Sequence, residues 1–278
     1  MTIALGELGV HLHYQTATPE LAVEIEKAGY GAMWLIGAPP ADLDVVEQVL
    51  DATERLVVAT CIVNIWTAPA KIVAESCHRI AAKHPDRFLL GLGAGRRAPD
   101  SGYMLPYDAH VEYLDELAAA GVPADQVALA VLGPRALRLA AERTAGVAAV
   151  LVTPAHAQRT RQIVGEDALV MVGQHVVLDT DAERARTIGR AAVAFPALNV
   201  PEIANNLRRA GFTVEDLTDQ GSDRLIDALV LHGEVGAIAS GLVEHLDAGA
   251  DHVGVTVLGD DVLGGLRAVA GAVAELRR

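Results

Sequence analysis

The sequence predicts an α/β protein, a (β/α)8 TIM barrel. Short apolar runs alternate with longer amphipathic stretches along nearly all of its 278 residues. The runs are rich in Val, Ile and Leu and continuously apolar, as expected for parallel strands that are buried on both faces. Eight such runs within about 250 residues fit a barrel of this class. A doubly wound open sheet is the main alternative, but eight parallel strands would be wide for so short a chain.

The predicted elements follow one another regularly along the chain. The strands are Leu8–His13, Ala32–Ile36, Leu56–Val63, Phe88–Leu92, Val127–Leu132, Ala148–Val152, Ala168–Val172 and His252–Val257. The helices are Glu20–Ala28, Asp44–Thr53, Ala70–Lys83, Ala109–Ala120, Arg135–Arg143, Ala155–Val164, Asp181–Val193 and Glu234–Ala248. Thr18-Pro19 and Thr153-Pro154 are typical helix starts, and Gly29 and Gly121 are typical helix ends.

One segment interrupts the alternation. From about residue 195 to residue 232 the pattern is helical, with no apolar strand. We interpret it as a helical insertion between strands 7 and 8, which either packs on the barrel, covers the site or joins a subunit interface. No linker divides the chain, so residues 1–278 are expected to form a single domain.

Charge and composition exclude several classes of function. The 22 Lys and Arg residues stand against 36 Asp and Glu, a net charge of -14, which argues against a nucleic-acid-binding protein. The two cysteines form no disulfide framework and no CxxC motif. The N-terminus does not resemble a signal peptide, and no apolar run has the roughly 20 residues of a membrane helix. A cytoplasmic location without membrane contact is therefore expected.

Barrel active sites lie at the carboxyl ends of the strands, so those ends supply the candidate residues. His11 and His13 share one face of the first strand, and His13 is the candidate nearest the strand end for contact with a ligand. No partner set for a metal ion follows the neighbouring strands. Gly37 would let a planar ligand approach, and Asn64 could hydrogen-bond one. Cys61 has no His or Asp partner nearby, which disfavours a nucleophilic thiol.

Two further groups of residues favour a flat ligand with an anionic end. Gly93-Ala94-Gly95 leaves room for a ring system, although its spacing is not that of a dinucleotide fingerprint. Gly133-Pro134-Arg135 and Thr153-Pro154 pass from strand to helix with almost no loop. Helix N-termini of this kind bind phosphate through free N–H groups, but ordinary helix capping explains each of them equally well when taken alone.

Several passages resemble the bacterial luciferase-like monooxygenase superfamily, and in particular its short F420-dependent oxidoreductases. Most of the chain, about residues 8–258, shares in the resemblance. The passages are Glu26-Lys-Ala-Gly-Tyr-Gly-Ala-Met-Trp34, Ala59-Thr-Cys-Ile-Val-Asn-Ile-Trp66, His84-Pro-Asp-Arg-Phe-Leu-Leu-Gly-Leu-Gly-Ala-Gly95, Gly133-Pro-Arg-Ala-Leu-Arg-Leu-Ala-Ala-Glu142 and Asn205-Asn-Leu-Arg-Arg-Ala-Gly-Phe212.

This resemblance implies an oxidoreductase that binds coenzyme F420, or else FMN, and that forms a homodimer. It implies a non-prolyl cis peptide bond at Cys61-Ile62 in a bulge behind the central ring of the cofactor. Gly93, Ala94 and Gly95 would lie near the ring, and Gly133, Arg135 and Thr153 near the phosphate-bearing tail. The implied chemistry is hydride transfer between the deazaflavin and a small organic substrate.

The sequence departs from the sugar-phosphate dehydrogenases of this superfamily, which carry an Asp-His pair where this chain has Ile36-Gly37-Ala38. His13 is then the nearest substitute for the missing base, by position only. Three alternatives stay open: an FMN-dependent monooxygenase or reductase, a cofactor-binding barrel without catalysis, and an unrelated phosphate-binding lyase or isomerase. The last would need a Schiff-base lysine or a metal cluster, and Lys27, Lys71 and Lys83 all fall on predicted helices.

Overall fold

The computed structural model describes residues 3–96 and 104–278. Its strands are β1 (Leu8–His13), β2 (Ala32–Ile36), β3 (Val57–Cys61), β4 (Val63–Asn64), β5 (Phe88–Gly93), β6 (Val127–Ala130), β7 (Gly146–Val150), β8 (Leu169–Val177), β9 (Val230–His232) and β10 (His252–Val257). Its helices are α1 (Pro19–Lys27), α2 (Asp44–Ala52), α3 (Ala70–Lys83), α4 (Pro106–Ala119), α5 (Pro134–Arg143), α6 (Pro154–Val164), α7 (Ala182–Asn199), α8 (Pro201–Arg209), α9 (Asp223–Leu229), α10 (Val235–Asp247) and α11 (Val262–Leu276).

Eight parallel strands close into the predicted barrel. Their order is β1-β2-β3-β5-β6-β7-β8-β10, and β10 pairs with both β8 and β1. Val255 shows the closure directly, because it lies in register with Val10 on one side and with Gln174 on the other. The short β4 continues the third barrel strand and pairs with β5. The prediction of a (β/α)8 barrel is confirmed.

Apolar side chains form two layers, one between the barrel strands and the helices and one inside the barrel. The outward-facing side chains pack against the helices in a large core that includes Val10, Met33 and Leu90. The inward-facing side chains form a separate, smaller cluster around Trp34, which Ile3 and Leu5 join from the N-terminal segment. Many of these interior residues are alanines, because the centre of the barrel is narrow and Trp34 already fills much of it.

Histidines occupy the barrel interior where glycines leave space for them. The His252 ring accepts a hydrogen bond from Trp34 Nε1 at Nε2 (2.9 Å) and donates one from Nδ1 to the Gly6 carbonyl (2.6 Å). The His11 ring lies so close to Gly173 and Gly254 that a Cβ at either position would collide with it. These glycines are therefore required by close approach rather than by a turn.

The insertion is larger than predicted and contains a strand, which corrects the expected range of 195–232. The sequence assigns the helix at 181–193 to the barrel, but the structure extends it to Asn199 and packs it against α8 and α9. These helices share a core of their own, which includes Leu207, Phe212 and Ile226. Instead, α10 takes the place of the barrel helix that the sequence assigns to residues 181–193, and it packs against α6 on one side and α11 on the other. β9 pairs with the end of β8, where the sequence predicts no strand.

Two other boundaries differ from prediction. α11 follows the last strand and completes the ring of helices, although its pattern was not recognised in the sequence. β8 continues to Val177 instead of ending at Val172, because β9 and β10 supply partners along its second half. Within the residues described, no helix is both long enough and apolar enough to cross a membrane.

Two charged residues of the family-like passages, Glu26 and Arg87, stabilise the turn before β3. The Glu26 carboxylate accepts hydrogen bonds from the backbone N–H groups of Arg55 (2.6 Å) and Leu56 (2.7 Å). Arg87 donates to the Leu56 carbonyl (3.1 Å) and to Thr53 Oγ1 (2.7 Å). Burial opposes ionisation of Glu26, but the backbone hydrogen bonds outweigh it and lower the pKa of this carboxyl group. Both residues therefore act in folding.

We expect Glu26→Ala to lower the free energy of unfolding at pH 7 by about 1–2 kcal/mol, because it leaves backbone donors without their charged acceptor. Since the pKa of Glu26 is lower in the folded than in the unfolded chain, this stabilisation is present above about pH 4.5 and is lost as the pH falls further. Urea unfolding between pH 7 and pH 3.5 measures the effect. Glu75→Ala, at an exposed site on α3, is the control and should change little. Equal stability of both variants at pH 7 would contradict the role of Glu26.

Candidate active site

An apolar cavity of about 660 Å³ opens at the carboxyl ends of the barrel strands. Its size is that of sites that bind cofactors and small molecules. All eight barrel strands contribute to its lining, together with α4, α5, α7 and α8. Most of the lining side chains are aliphatic. Among the residues described, the lining groups that are charged at neutral pH are Glu202 and Arg209, both exposed and both on α8.

One side of the cavity is formed by the bulge between β3 and β4. A non-prolyl cis peptide bond joins Cys61 and Ile62 there, at the pair that the resemblance predicts. Ile62 packs beside Gly93, where an added Cβ would lie 2.9 Å from Ile62 Cδ1. Cys61, Ile62, Gly93, Ala94 and Gly95 all line the cavity. The bulge and the glycines thus form a smooth apolar wall without projecting polar side chains.

Asn64 supports this wall from behind. Its Nδ2 donates to the Arg96 carbonyl (2.9 Å), and its Oδ1 accepts from the Trp66 N–H (3.0 Å). The side chain is buried, 7% exposed, and does not border the cavity. The structure therefore places Asn64 between two loops, where it fixes the position of the segment that follows Gly95.

The two predicted helix starts lie at the opposite side. Gly133 precedes α5 and lines the cavity, and Thr153 precedes α6. Neither helix has a side-chain cap. In α6 the His156 N–H donates to the Thr153 backbone carbonyl (2.8 Å), so a side chain satisfies none of the first N–H groups. Pro134 is the first residue of α5. The Arg135 guanidinium stacks on the ring of Tyr107 at 3.6 Å, and Tyr107 borders the cavity.

His13 and Gly37 lie together at the ends of β1 and β2, outside the lining of the cavity. His13 is exposed, its ring stacks on Tyr14 at 5.0 Å, and its Nδ1 accepts from the Gln15 N–H (3.3 Å). A Cβ at Gly37 would collide with the His13 ring. The other histidine of this strand face, His11, does line the cavity.

The histidines and the thiol at the cavity are uncharged. Burial lowers the pKa of His11 to about 3, with further contributions from His175 and His252, and burial lowers the pKa of His175 to about 4. Burial raises the pKa of the Cys61 thiol to about 12. The cavity therefore offers neutral hydrogen-bonding groups in an apolar setting at physiological pH. In the described part of the chain, no group of three or more His, Cys, Asp or Glu residues could hold a metal ion.

Several lining residues were not identified from the sequence. His175 was missed because the seventh strand was expected to end at Val172, before this residue. Tyr107 and His110 lie in the first turns of α4, which begins three residues earlier than predicted. Glu202, Asn205 and Arg209 come from the insertion. In the sequence, these residues of the insertion were indicated only by the family-like passage that begins at Asn205.

The chain is similar to proteins of known family and structure. The family model described as luciferase-like monooxygenase matches residues 1–121. The resemblance to this family is confirmed. Among curated proteins, none matches the sequence.

Solved structures share the luciferase-like fold over the whole chain. An F420-dependent secondary alcohol dehydrogenase in complex with an F420–acetone adduct is 15% identical, with 100% of both chains covered and a TM-score of 0.76. The coenzyme F420-dependent tetrahydromethanopterin reductase of Methanopyrus kandleri is 17% identical, with 98% and 99% covered and the same TM-score. The oxygenating constituent of 3,6-diketocamphane monooxygenase from Pseudomonas putida, in complex with FMN, is 15% identical, with 98% of each chain covered and a TM-score of 0.72.

The luciferase-like fold and the oxidoreductase class of its relatives thus agree with the cavity that the strands enclose. The matching region ends at residue 121, so it includes the bulge at Cys61-Ile62 and the Gly93–Gly95 segment but not the starts of α5 and α6.

The buried histidines predict a loss of stability in mild acid. His245 on α10 is an example away from the cavity: burial lowers its pKa to about 4, and its ring contacts Gln174 Oε1 through Nε2 (2.9 Å). Because the unfolded chain binds protons below about pH 6.5 and the folded chain does not, each such histidine reduces stability as the pH falls. Its contribution to the slope is about 1 kcal/mol per pH unit.

We therefore expect the free energy of unfolding to decrease between pH 6.5 and pH 5, and His245→Gln to make this decrease shallower by about 1 kcal/mol per pH unit. Urea unfolding at pH 7.5, 6.5, 5.8 and about 5 measures both slopes. Equal slopes in the variant and the wild type would show that His245 titrates normally in the folded protein.

Proposed function

We propose that the protein is an F420-dependent oxidoreductase that transfers a hydride between the deazaflavin and a small organic substrate. The observation that carries this proposal is the smooth apolar wall of the cavity, formed by the Cys61-Ile62 bulge and the Gly93–Gly95 segment. A planar tricyclic ring fits against such a wall because no side chain extends from either glycine. The two F420 proteins, with a TM-score of 0.76, support F420 over FMN.

The groups around the cavity also fit the polar parts of such a cofactor. The uncapped N-termini of α5 and α6 present free N–H groups and the positive end of a helix dipole, which favour a phosphate. Arg209 lines the cavity from α8 and brings a positive charge to it. We propose that Gly133, Pro134, Arg135 and Thr153 surround the anionic tail, with Arg209 beside them.

When bound, the cofactor would supply the hydride acceptor or donor. The residues of this chain would hold the ring against the bulge, exclude water with the aliphatic lining and keep the reacting end free of fixed charge. His11 and His175 line the inner part of the cavity as neutral imidazoles, each with hydrogen-bonding capacity toward a substrate. His13 stays a prediction based on its position.

We further propose that the whole chain acts as one domain, because α8 of the insertion supplies a wall of the barrel's own cavity. A cytoplasmic homodimer stays a prediction of the sequence and of the resemblance.

Fluorescence titration of the purified protein with F420, and separately with FMN, tests the cofactor. We expect micromolar or tighter binding of F420 and weak binding of FMN. Ala94→Phe should abolish binding by filling the ring site, and Ala237→Phe, at an exposed site on α10, should leave it unchanged. Preference for FMN would move the protein to the flavin-dependent monooxygenases and reductases. Tight F420 binding without turnover across a substrate panel would favour a binding protein, and binding of neither cofactor would refute the proposal.

The variant Arg209→Ala tests the proposed contact between Arg209 and the anionic tail of the cofactor. We expect it to weaken the binding of F420 about tenfold and to reduce the dependence of that binding on salt, because a charge-assisted contact is lost. Binding of 5-deazariboflavin, which lacks the phosphate, should not change. Arg208→Ala is the matched control, since Arg208 is the exposed neighbour that contacts Asn205 Oδ1 instead of the cavity. An equal loss for both ligands would contradict a phosphate contact.

A further inference from the structure

His110 lies on the cavity side of α4, and within residues 3–96 and 104–278 one of its ring nitrogens is hydrogen-bonded and the other is not. Its Nδ1 is 2.7 Å from the Pro106 carbonyl oxygen. A carbonyl can only accept, so Nδ1 carries the hydrogen and donates it. Nε2 is buried and has no hydrogen-bond partner among the residues that the structure describes. The side chain as a whole is 4% exposed, and it lines the cavity.

The protonation state of this ring follows from its surroundings. Burial lowers the pKa of His110 and outweighs the hydrogen bond to Pro106, which acts in the opposite direction. The ring is therefore neutral at physiological pH, and the unpartnered Nε2 presents a lone pair. The hydrogen bond to Pro106 fixes this tautomer, so that Nε2 is an acceptor and not a donor.

An acceptor without a partner is costly inside a protein. Buried polar atoms are nearly always paired, and an exception can mark the place where a ligand, an ion or a water molecule binds. No described residue supplies a donor to Nε2, the hydroxyl group of the neighbouring Tyr107 included. The partner that this site fits is a group with an O–H that enters the cavity with a ligand.

We propose that His110 is a binding residue that accepts a hydrogen bond at Nε2 from a hydroxyl group of the molecule held in the cavity. Two sources have this chemistry: the polyol side chain of a flavin or deazaflavin, and the alcohol group of an uncharged substrate. The first source rests on the proposed function, whereas the second does not depend on which cofactor the protein uses. A carboxylate or phosphate would not satisfy this nitrogen, since both would present a second acceptor.

Variants at this position separate folding from binding. His110→Asn retains a side-chain N–H near the Pro106 carbonyl but leaves no acceptor at the position of Nε2, and His110→Phe removes both nitrogens. His245→Gln is the matched control, a buried histidine outside the cavity. The wild-type protein gives an independent measurement by NMR, because the 15N resonance of an imidazole acceptor moves upfield when it accepts a hydrogen bond.

The probes differ only in the hydroxyl. 5-Deazariboflavin is compared with the same ring carrying a methyl group in place of the polyol, and cyclohexanol is compared with its methyl ether. If the hydroxyl belongs to the cofactor, His110→Asn should weaken 5-deazariboflavin about tenfold or more and leave the methyl analogue unchanged. If it belongs to the substrate, the same selective loss should appear for cyclohexanol and not for its ether. His245→Gln should bind all four probes like the wild type.

Two results would overturn the proposal. One is an equal loss of affinity for the probes with and without the hydroxyl, which would make His110 a structural residue. The other is a His110 Nε2 resonance that none of the four probes shifts, and this result is decisive even if both variants fail to fold. If no flavin or deazaflavin binds but cyclohexanol shifts the resonance, the proposed function fails while the role of His110 stands.

Discussion

Pairing of β10 with both β8 and β1 closes the sheet, and the candidate site depends on that closure. A closed ring of eight strands leaves an interior too narrow for many large side chains. Trp34 and the small residues around it fill the lower part. The upper part stays open because the strand ends there carry Gly93, Ala130, Ala148 and Thr256. The cavity therefore exists because the residues that face the upper part of the barrel interior are small.

Burial determines the protonation state of the polar groups inside the barrel. Histidines at the surface would titrate near neutral pH, but those in and around the barrel stay neutral because charging them without solvent is unfavourable. The rings of His11 and His252 also depend on glycines of neighbouring strands for their space. Hydrogen bonds to backbone or side-chain atoms fix some of these rings, as at His252 and His110. The resulting interior carries neutral hydrogen-bonding groups in an apolar setting.

The insertion contributes charged side chains to the cavity, which the described barrel strands do not. It has its own apolar core and lies beside the end of β8, where β9 pairs with the strand. From that position α8 brings Glu202, Asn205 and Arg209 to the cavity, and Glu202 and Arg209 are the charged groups among its described lining residues. The barrel therefore supplies a neutral inner part, and the inserted helices supply a charged mouth.

The amino-acid sequence by itself determined the class of fold and most strand positions, because apolar periodicity is a local property. The bulge at Cys61-Ile62 followed from the resemblance to a known family and not from that periodicity. Glu26 and Arg87 stood out as part of a family-like passage, yet only the structure shows that they stabilise a turn far from the cavity. His13 and His11 have the same pattern in sequence, and their different depths in the barrel separated them. His175 became visible only with the final length of β8, and His110 only with the cavity that its helix lines. Tertiary structure decided these cases because the partners that bury, orient or extend each element are distant in sequence.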